Sequence, residues 1–150
     1  MLAAFAIAAV CLSAPVDGPV VAAFAPVGEY GGHWGLDYSV PVGAEVRAPS
    51  SGVVTFAGAV AGMRTITIEP VPGFKVSVSY LSQVGVATGQ RVRRGEVVGL
   101  AGTPHGSPGA HVSTRIDGRY VDPRPLLGCI DTDISRALRL VTPPTGPPRR

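Results

Sequence analysis

From Gly31 to about Leu127 the chain reads as short runs of alternating apolar and polar residues, broken by glycine and proline. A period of two is the mark of a strand with one buried face. It is clearest in Arg64 to Glu69, where Ile66 and Ile68 share a face, and in Phe74 to Tyr80, where Phe74, Val76, Val78 and Tyr80 do. Pro70 to Gly73 between them predicts a hairpin turn. Val40 to Val46 alternates as well, Gly52 to Gly58 reads as a strand between glycines, and the last strand pair brackets Asp117-Gly118. Upstream, Ala14 to Pro26 is apolar and punctuated by proline, which predicts a leading strand. One helix is expected, Asp131 to Val141, capped by Asp131 or Asp133 and followed by the Pro-rich tail Thr142 to Arg150. Gly43-Ala-Glu-Val-Arg47 with Gly52-Val-Val54 is echoed by Gly89-Gln-Arg-Val-Arg93 with Gly95-Glu-Val-Val98, which predicts two similar turns in one architecture. The expected fold is all-β: a two-sheet β-sandwich or barrel-sandwich hybrid with an open groove and a short C-terminal helix. Carrier domains share such an architecture, but they need a modifiable lysine at a hairpin tip, and Lys75 lies mid-strand.

Composition narrows this picture. With 150 residues, 45% hydrophobic, the chain holds one domain with a real core. Only 15% is charged, which argues against a coiled coil, and 20 Gly with 15 Pro suit many strands joined by tight turns. Aromatics are 6%, so Val, Ala, Leu and Ile must build the core. The net charge is +3, carried almost entirely by scattered arginines. The densest group, Arg91, Arg93 and Arg94, has no interleaved aromatics, so no nucleic-acid partner is expected. Two cysteines, Cys11 and Cys129, do not make a disulfide framework. Leu2 to Ala14 is too short to span a bilayer and has the length of an export signal's apolar region. Residues 1–14 are therefore read as a signal or export segment, 15–127 as the domain, and 128–150 as the helix and tail. Removal of the first segment would leave Cys129 unpaired. The mature chain is expected to have no membrane span and to be secreted or held in the cell envelope.

The chemistry rests on few residues. The three histidines are His33, His105 and His111. Asp37 follows His33 by four positions, and in an extended segment even spacing puts His33, Gly35 and Asp37 on one face, with Trp34 and Leu36 on the other. An imidazole and a carboxylate converging on one point suit a divalent metal, with Gly35 leaving room for the ion and further ligands coming from elsewhere.

The order of segments resembles the lysostaphin/LytM-type zinc endopeptidases, which cut peptide cross-bridges in bacterial cell walls. Their His-x3-Asp motif stands here as His33 and Asp37, followed by Pro41-Val-Gly-Ala-Glu-Val-Arg-Ala-Pro49 and Gly52-Val-Val54. Their Tyr-x-His-Leu-Ser segment reads Val78-Ser-Tyr-Leu-Ser82, and the ending reads Asp117-Gly-Arg-Tyr-Val-Asp-Pro123. The resemblance covers roughly residues 18 to 127. Counted back from Val121-Asp-Pro123 without gaps, His111 falls on the family's third zinc ligand and Gly109 on the catalytic histidine two residues before it. Tyr80 falls on the other catalytic histidine. A register shifted by two would instead leave Ser113 as a poor third ligand.

The resemblance thus implies a zinc site of His33, Asp37 and His111 in a groove flanked by Trp34 and Gly109, with both catalytic histidines replaced. Such a site keeps one position open. Tyr80 could hold water or stabilise an oxyanion, but with an ordinary pKa near 10 it is a poor base at neutral pH. His105, in Thr103-Pro-His-Gly-Ser-Pro-Gly109, is the one spare imidazole; as a loop residue it reads first as solvent-exposed. The implied function is directed at peptidoglycan, with weak or absent hydrolysis. Two further readings stay open, so whether the chain is an enzyme is undecided at this level. One is an active endopeptidase in which Tyr80 or His105 substitutes. The other is a module that binds peptidoglycan peptides or activates another cell-wall hydrolase.

Overall fold

The computed structural model describes residues 10–128; the expected C-terminal helix and tail lie outside the described residues. Twelve strands are present among these: β1 Val20–Ala22, β2 Ala25–Val27, β3 Gly31–His33, β4 Leu36–Ser39, β5 Glu45–Arg47, β6 Gly52–Val60, β7 Met63–Val71, β8 Phe74–Val84, β9 Arg91–Val92, β10 Val97–Ala101, β11 Gly109–Ile116 and β12 Arg119–Val121. The only helical turns among the described residues are two 3-10 turns, Pro104–Gly106 and Arg124–Leu126. No helix among them is long and apolar enough to cross a membrane. The fold is all-β, as the alternation predicts.

The main sheet runs β1-β4-β11-β8-β7-β6-β9, antiparallel throughout, with β10 pairing β8 and β5, and β12 pairing β11. β2 and β3 form a separate two-stranded ribbon. One face of the sheet is apolar. Leu36 and Tyr38 of β4, Ile66 and Ile68 of β7, Phe74, Val76 and Val78 of β8, and Ala110 and Val112 of β11 are all buried there. Val46, Ala48, Val92 and Val98 from the region of β5, β9 and β10 join the same core. Small aliphatic side chains at this density give close packing without large aromatics.

The opposite face of β7, β8 and β11 is floored by hydroxyls. Thr65, Thr67, Ser77 and Ser113 are buried there. The Thr65 hydroxyl donates to Ser79 Oγ at 3.0 Å, and Thr67 and Ser77 share a hydrogen bond of 2.8 Å. Paired hydroxyls satisfy each other without charge. They floor a groove of about 440 Å³ walled by Phe56, Met63, Lys75, Arg115 and Tyr120.

Strict alternation expects Tyr80 on the core face with Phe74, Val76 and Val78. The chain does otherwise. Tyr80 takes a left-handed φ of 62°, and the β7–β8 register shifts between Arg64↔Leu81 and Thr65↔Ser79. An extra residue in a ladder bends the strand and re-aims side chains. Here it puts Leu81 into the core and turns Tyr80 out. Before Tyr80, β8 pairs β11; after it, β8 pairs β10.

The internal echo is structural. Gly43 (φ 87°) and Gly89 (φ 90°) adopt the same left-handed turn before β5 and β9, a conformation that suits glycine.

At the N-terminal side, Val10, Cys11 and Leu12, the end of the expected export segment, are buried, Val10 and Leu12 within the core. Leu12 pairs with Leu127 as a parallel bridge, its N–H donating to the Leu126 carbonyl at 2.8 Å. Cys11 is disulfide-bonded. Spacing alone shows no disulfide, because the pairing depends on residues 10–12 lying buried beside residues 126–128. The sequence contains one other cysteine, Cys129, which lies outside the described residues. Leu12 is 1% exposed, so Leu12→Ala should cost about 2–5 kcal/mol. Urea unfolding measures this, and an unchanged midpoint would show that residues 10–13 are not part of the stable domain.

Candidate metal centre

Asp37 and His111 are brought together by strand pairing. They stand directly opposite one another on β4 and β11, and Ser79 of β8 stands opposite His111 on its other side. Opposed residues in an antiparallel pair share a face, with Cβ atoms about 5 Å apart. Asp37 Oδ1 lies 2.7 Å from His111 Nδ1. His33 reaches the same carboxylate from β3. Even spacing along one strand does not explain this, since β3 belongs to the small ribbon and β4 to the main sheet. Instead the chain passes between them at Trp34-Gly35, and His33 Nε2 arrives 3.1 Å from Asp37 Oδ1. His105, which reads from the sequence as solvent-exposed, enters the cluster as well, with Nδ1 2.7 Å from Asp37 Oδ2. The ligand atoms of His33, Asp37, His105 and His111 all lie within 4.8 Å of one another.

Two glycines shape the surroundings. Gly35 reads from the sequence as space for an ion; in the fold it makes space for its neighbours. A Cβ there would lie 2.2 Å from the Val112 carbonyl oxygen and 2.6 Å from His111 Nε2. Gly109 is buried opposite Ser39, and a Cβ there would lie 1.9 Å from the Tyr38 carbonyl oxygen. Backbone therefore fills the space that any side chain at position 109 would need. Tyr80 sits beside the cluster, its ring 5.0 Å from His105 and 6.1 Å from His111. Trp34 and Leu36, expected on a common face, separate: Leu36 is fully buried in the core, while Trp34 joins an aromatic rim with Phe24 and Tyr120 at 6.2 and 5.6 Å. Ser113 lies two residues beyond His111 on the same face and lines the groove with Ser77 and Ser79. The sequence offers two signals for His105, its being the sole spare imidazole and the resemblance that puts its loop beside the groove, and none for its contact with Asp37.

The donor set fits a metal. His33 Nδ1 lies 2.7 Å from the Ala23 carbonyl oxygen, so it carries the proton and Nε2 presents a lone pair. That buried Nε2 has no hydrogen-bond partner, yet it faces a carboxylate oxygen. Two lone pairs at this distance call for a cation. His ring nitrogens and a carboxylate are the ligand types that bind zinc, and a carbonyl bond to the far nitrogen is a common way of fixing a ligating imidazole.

The electrostatics agree. Burial pushes the Asp37 carboxyl upward, but hydrogen bonds from His111 and His105, the charge of His111 and the nearby His33 imidazole outweigh it, and its pKa is lowered. Burial is the largest effect on His111 and lowers its pKa; Asp37 pushes it up, and repulsion from His33 and His105 adds to the lowering. At neutral pH the pair is a carboxylate and a neutral imidazole, the forms that bind metal.

Residues 31–123 match peptidase family M23, and the chain belongs to that family. The DD-carboxypeptidase/endopeptidase Mpg of Neisseria meningitidis is 38% identical over 94 residues, which are 61% of this chain and 22% of that protein. The chain thus matches about a fifth of this relative's length. Among solved structures, a zinc-containing peptidase from Vibrio cholerae is similar with a TM-score of 0.65 and 28% identity, over 75% of this chain and 39% of that one. The catalytic domain of the antimicrobial peptidase lysostaphin from Staphylococcus simulans is similar with a TM-score of 0.64 and 26% identity, over 72% and 90% respectively.

Gly35→Ala should lower the melting temperature and weaken metal binding together, because the new methyl collides with both the β11 backbone and the His111 ring; calorimetry and a metal titration read both. The folded chain also holds fewer protons than the unfolded chain at both Asp37 and His111, so metal-free stability rises with pH. The His111 contribution is complete above its ordinary value near 6.5 and is lost as pH falls through its lower folded value. That of Asp37 is lost only in stronger acid. Chelator-treated protein should melt lower at pH 5 than at pH 7.5, with a smaller difference in His111→Asn; equal melting points in the parent would contradict this.

Proposed function

We propose that the chain is a zinc-binding, peptidoglycan-directed member of its family in which peptide-bond hydrolysis is weak or lost. His33, Asp37 and His111 would hold the metal. Bound there, zinc would supply a Lewis acid, able to acidify a water wherever the protein leaves a coordination position open. Whether that water is put to use depends on the chain's own residues. Proton transfer by a positioned side chain typically contributes about 10²–10⁴-fold. The two positions that would carry histidines in an active relative hold Tyr80, a phenol, and Gly109, which has no side chain and no room for one. That reading of the two positions rests on the resemblance, and the observation that supports it is the lack of space for any side chain at Gly109.

The groove supports a peptide ligand. Its floor of paired, uncharged hydroxyls offers hydrogen bonds to amides, and Lys75 and Arg115 lie along its wall, where they suit a peptide carboxylate. The stem and cross-bridge peptides of peptidoglycan have these features. A secreted or cell-envelope location is supported by the disulfide at Cys11, since such bonds persist in oxidising compartments; it requires that residues 10–14 stay in the exported chain rather than leave with an export segment.

A second reading is an active endopeptidase in which His105 or Tyr80 replaces the missing histidines. The contact between these two rings beside His111 favours it.

Metal analysis of purified protein should find about one zinc per chain. His111→Ala should lose it, whereas Ser113→Ala should keep it. Digestion of purified muropeptides should be at least about 10²-fold slower than by an intact relative. Rapid cleavage that Tyr80→Phe or His105→Ala abolishes would establish the second reading instead. Gly109→His should not restore activity, because the β4 backbone occupies the space.

A further inference from the structure

His105 lies in a loop whose conformation serves its side chain. The loop is pinned at its base by two hydrogen bonds between Gly102 and Gly109, of 3.0 and 2.9 Å. Pro104 is buried and anchors one limb. The Ser107 N–H donates to the Pro104 carbonyl at 3.0 Å, which tightens the turn around His105. His105 itself has φ 50° and ψ 31°, a left-handed conformation that few non-glycine residues adopt. Gly106 follows it with φ 83°. Residues held in such regions away from any glycine preference cluster where a side chain has a task.

The task is visible in the direction of the ring. His105 reaches the second oxygen of the same carboxylate that His33 and His111 approach at the first. The three imidazoles form pairs 5.0, 5.3 and 5.6 Å apart between ring centres, at interplanar angles of 76°, 74° and 87°. They are not stacked; they stand edge to face around Asp37. Four donors around a tetrahedral zinc at about 2.0–2.2 Å would be separated by about 3.3–3.6 Å. The donors here lie 2.7 Å apart in the Asp37 pairs with His105 and His111 and no more than 4.8 Å apart in any pair, so an ion would open the shortest pairs and draw in the widest, each by about 1 Å.

We propose that His105 is a fourth protein ligand, which closes the metal centre and leaves no coordination position for water or a substrate carbonyl. This rests on the reading that His33, Asp37 and His111 hold a metal. Three protein ligands with an open position mark catalytic zinc sites, and four mark structural ones. A closed centre accounts for one chain having both an intact ligand set and no catalytic histidines: with the open position filled, proton shuttles have nothing to serve. The half-exposed side chain of His105, 49% accessible against 13% for His111, makes it the most accessible of the three imidazoles.

The test is His105→Gly, chosen because glycine suits the left-handed backbone and removes only the imidazole. The metal-free variant should melt no lower than the parent. Zinc X-ray absorption of the parent should show three imidazoles and one carboxylate oxygen; the variant should show two imidazoles with added oxygen. Zinc affinity should fall at least tenfold. With cobalt(II) in place of zinc, azide should leave the parent's visible spectrum unchanged and shift that of the variant. A parent centre with two imidazoles, or a variant with parental zinc affinity, would overturn the proposal, since His105 would then only orient Asp37. Those results leave the three-ligand centre standing. A parent that binds no zinc, or a His111→Ala variant that binds it as the parent does, would remove the underlying reading and this proposal together.

Discussion

The Asp37 side chain is 11% exposed, and a charge taken that far out of water needs partners or must be neutralised. Three imidazoles meet it, from β3, β11 and the loop between β10 and β11. No two of them are neighbours in the sequence. Their convergence depends on β11 lying against β4 in one register, which places His111 opposite Asp37. A shift of one residue would turn His111 to the apolar face and Val112 to the groove. The core on the other face, with Leu36, Ala110 and Val112 buried to 0% exposure, holds that register. Packing on one side of the sheet thus sets the chemistry on the other.

The backbone also decides which side chains are absent. At Gly35 and Gly109 the neighbouring strand passes where a Cβ would be. The first gives the His111 ring its place. The second leaves the end of β11 unable to project a side chain beside the cluster. At Tyr80 the opposite happens: a left-handed residue interrupts β8, rotates a phenol toward the histidines and hands the strand from β11 to β10. One irregularity both turns the sheet and furnishes the site.

Much of this is legible in the sequence. Alternation in Arg64–Glu69 and Phe74–Val78 predicts the central strands and their buried faces, because residues on a half-buried strand can hardly be arranged otherwise. The motif order around His33 and Asp37 is enough to recognise the family. What alternation cannot show are the places where periodicity breaks. Alternation alone puts Tyr80 with the core residues; the resemblance puts it in the groove, and the bulge is what turns it there. Trp34 and Gly35 read as strand, although the chain there passes from one sheet to another. His105 reads as a loop residue because its approach to Asp37 depends on a contact 68 positions away. Cys11 reads as part of an export segment, because its disulfide depends on long-range burial.

The proposed chemistry of this chain depends on Asp37 and the imidazoles around it forming a metal centre. Anomalous diffraction at the zinc absorption edge, from crystals grown with zinc, addresses this directly. A single strong peak within bonding distance of Asp37, His33 and His111 is the predicted result. A map with no peak there, or with its only peaks at other side chains, would contradict it.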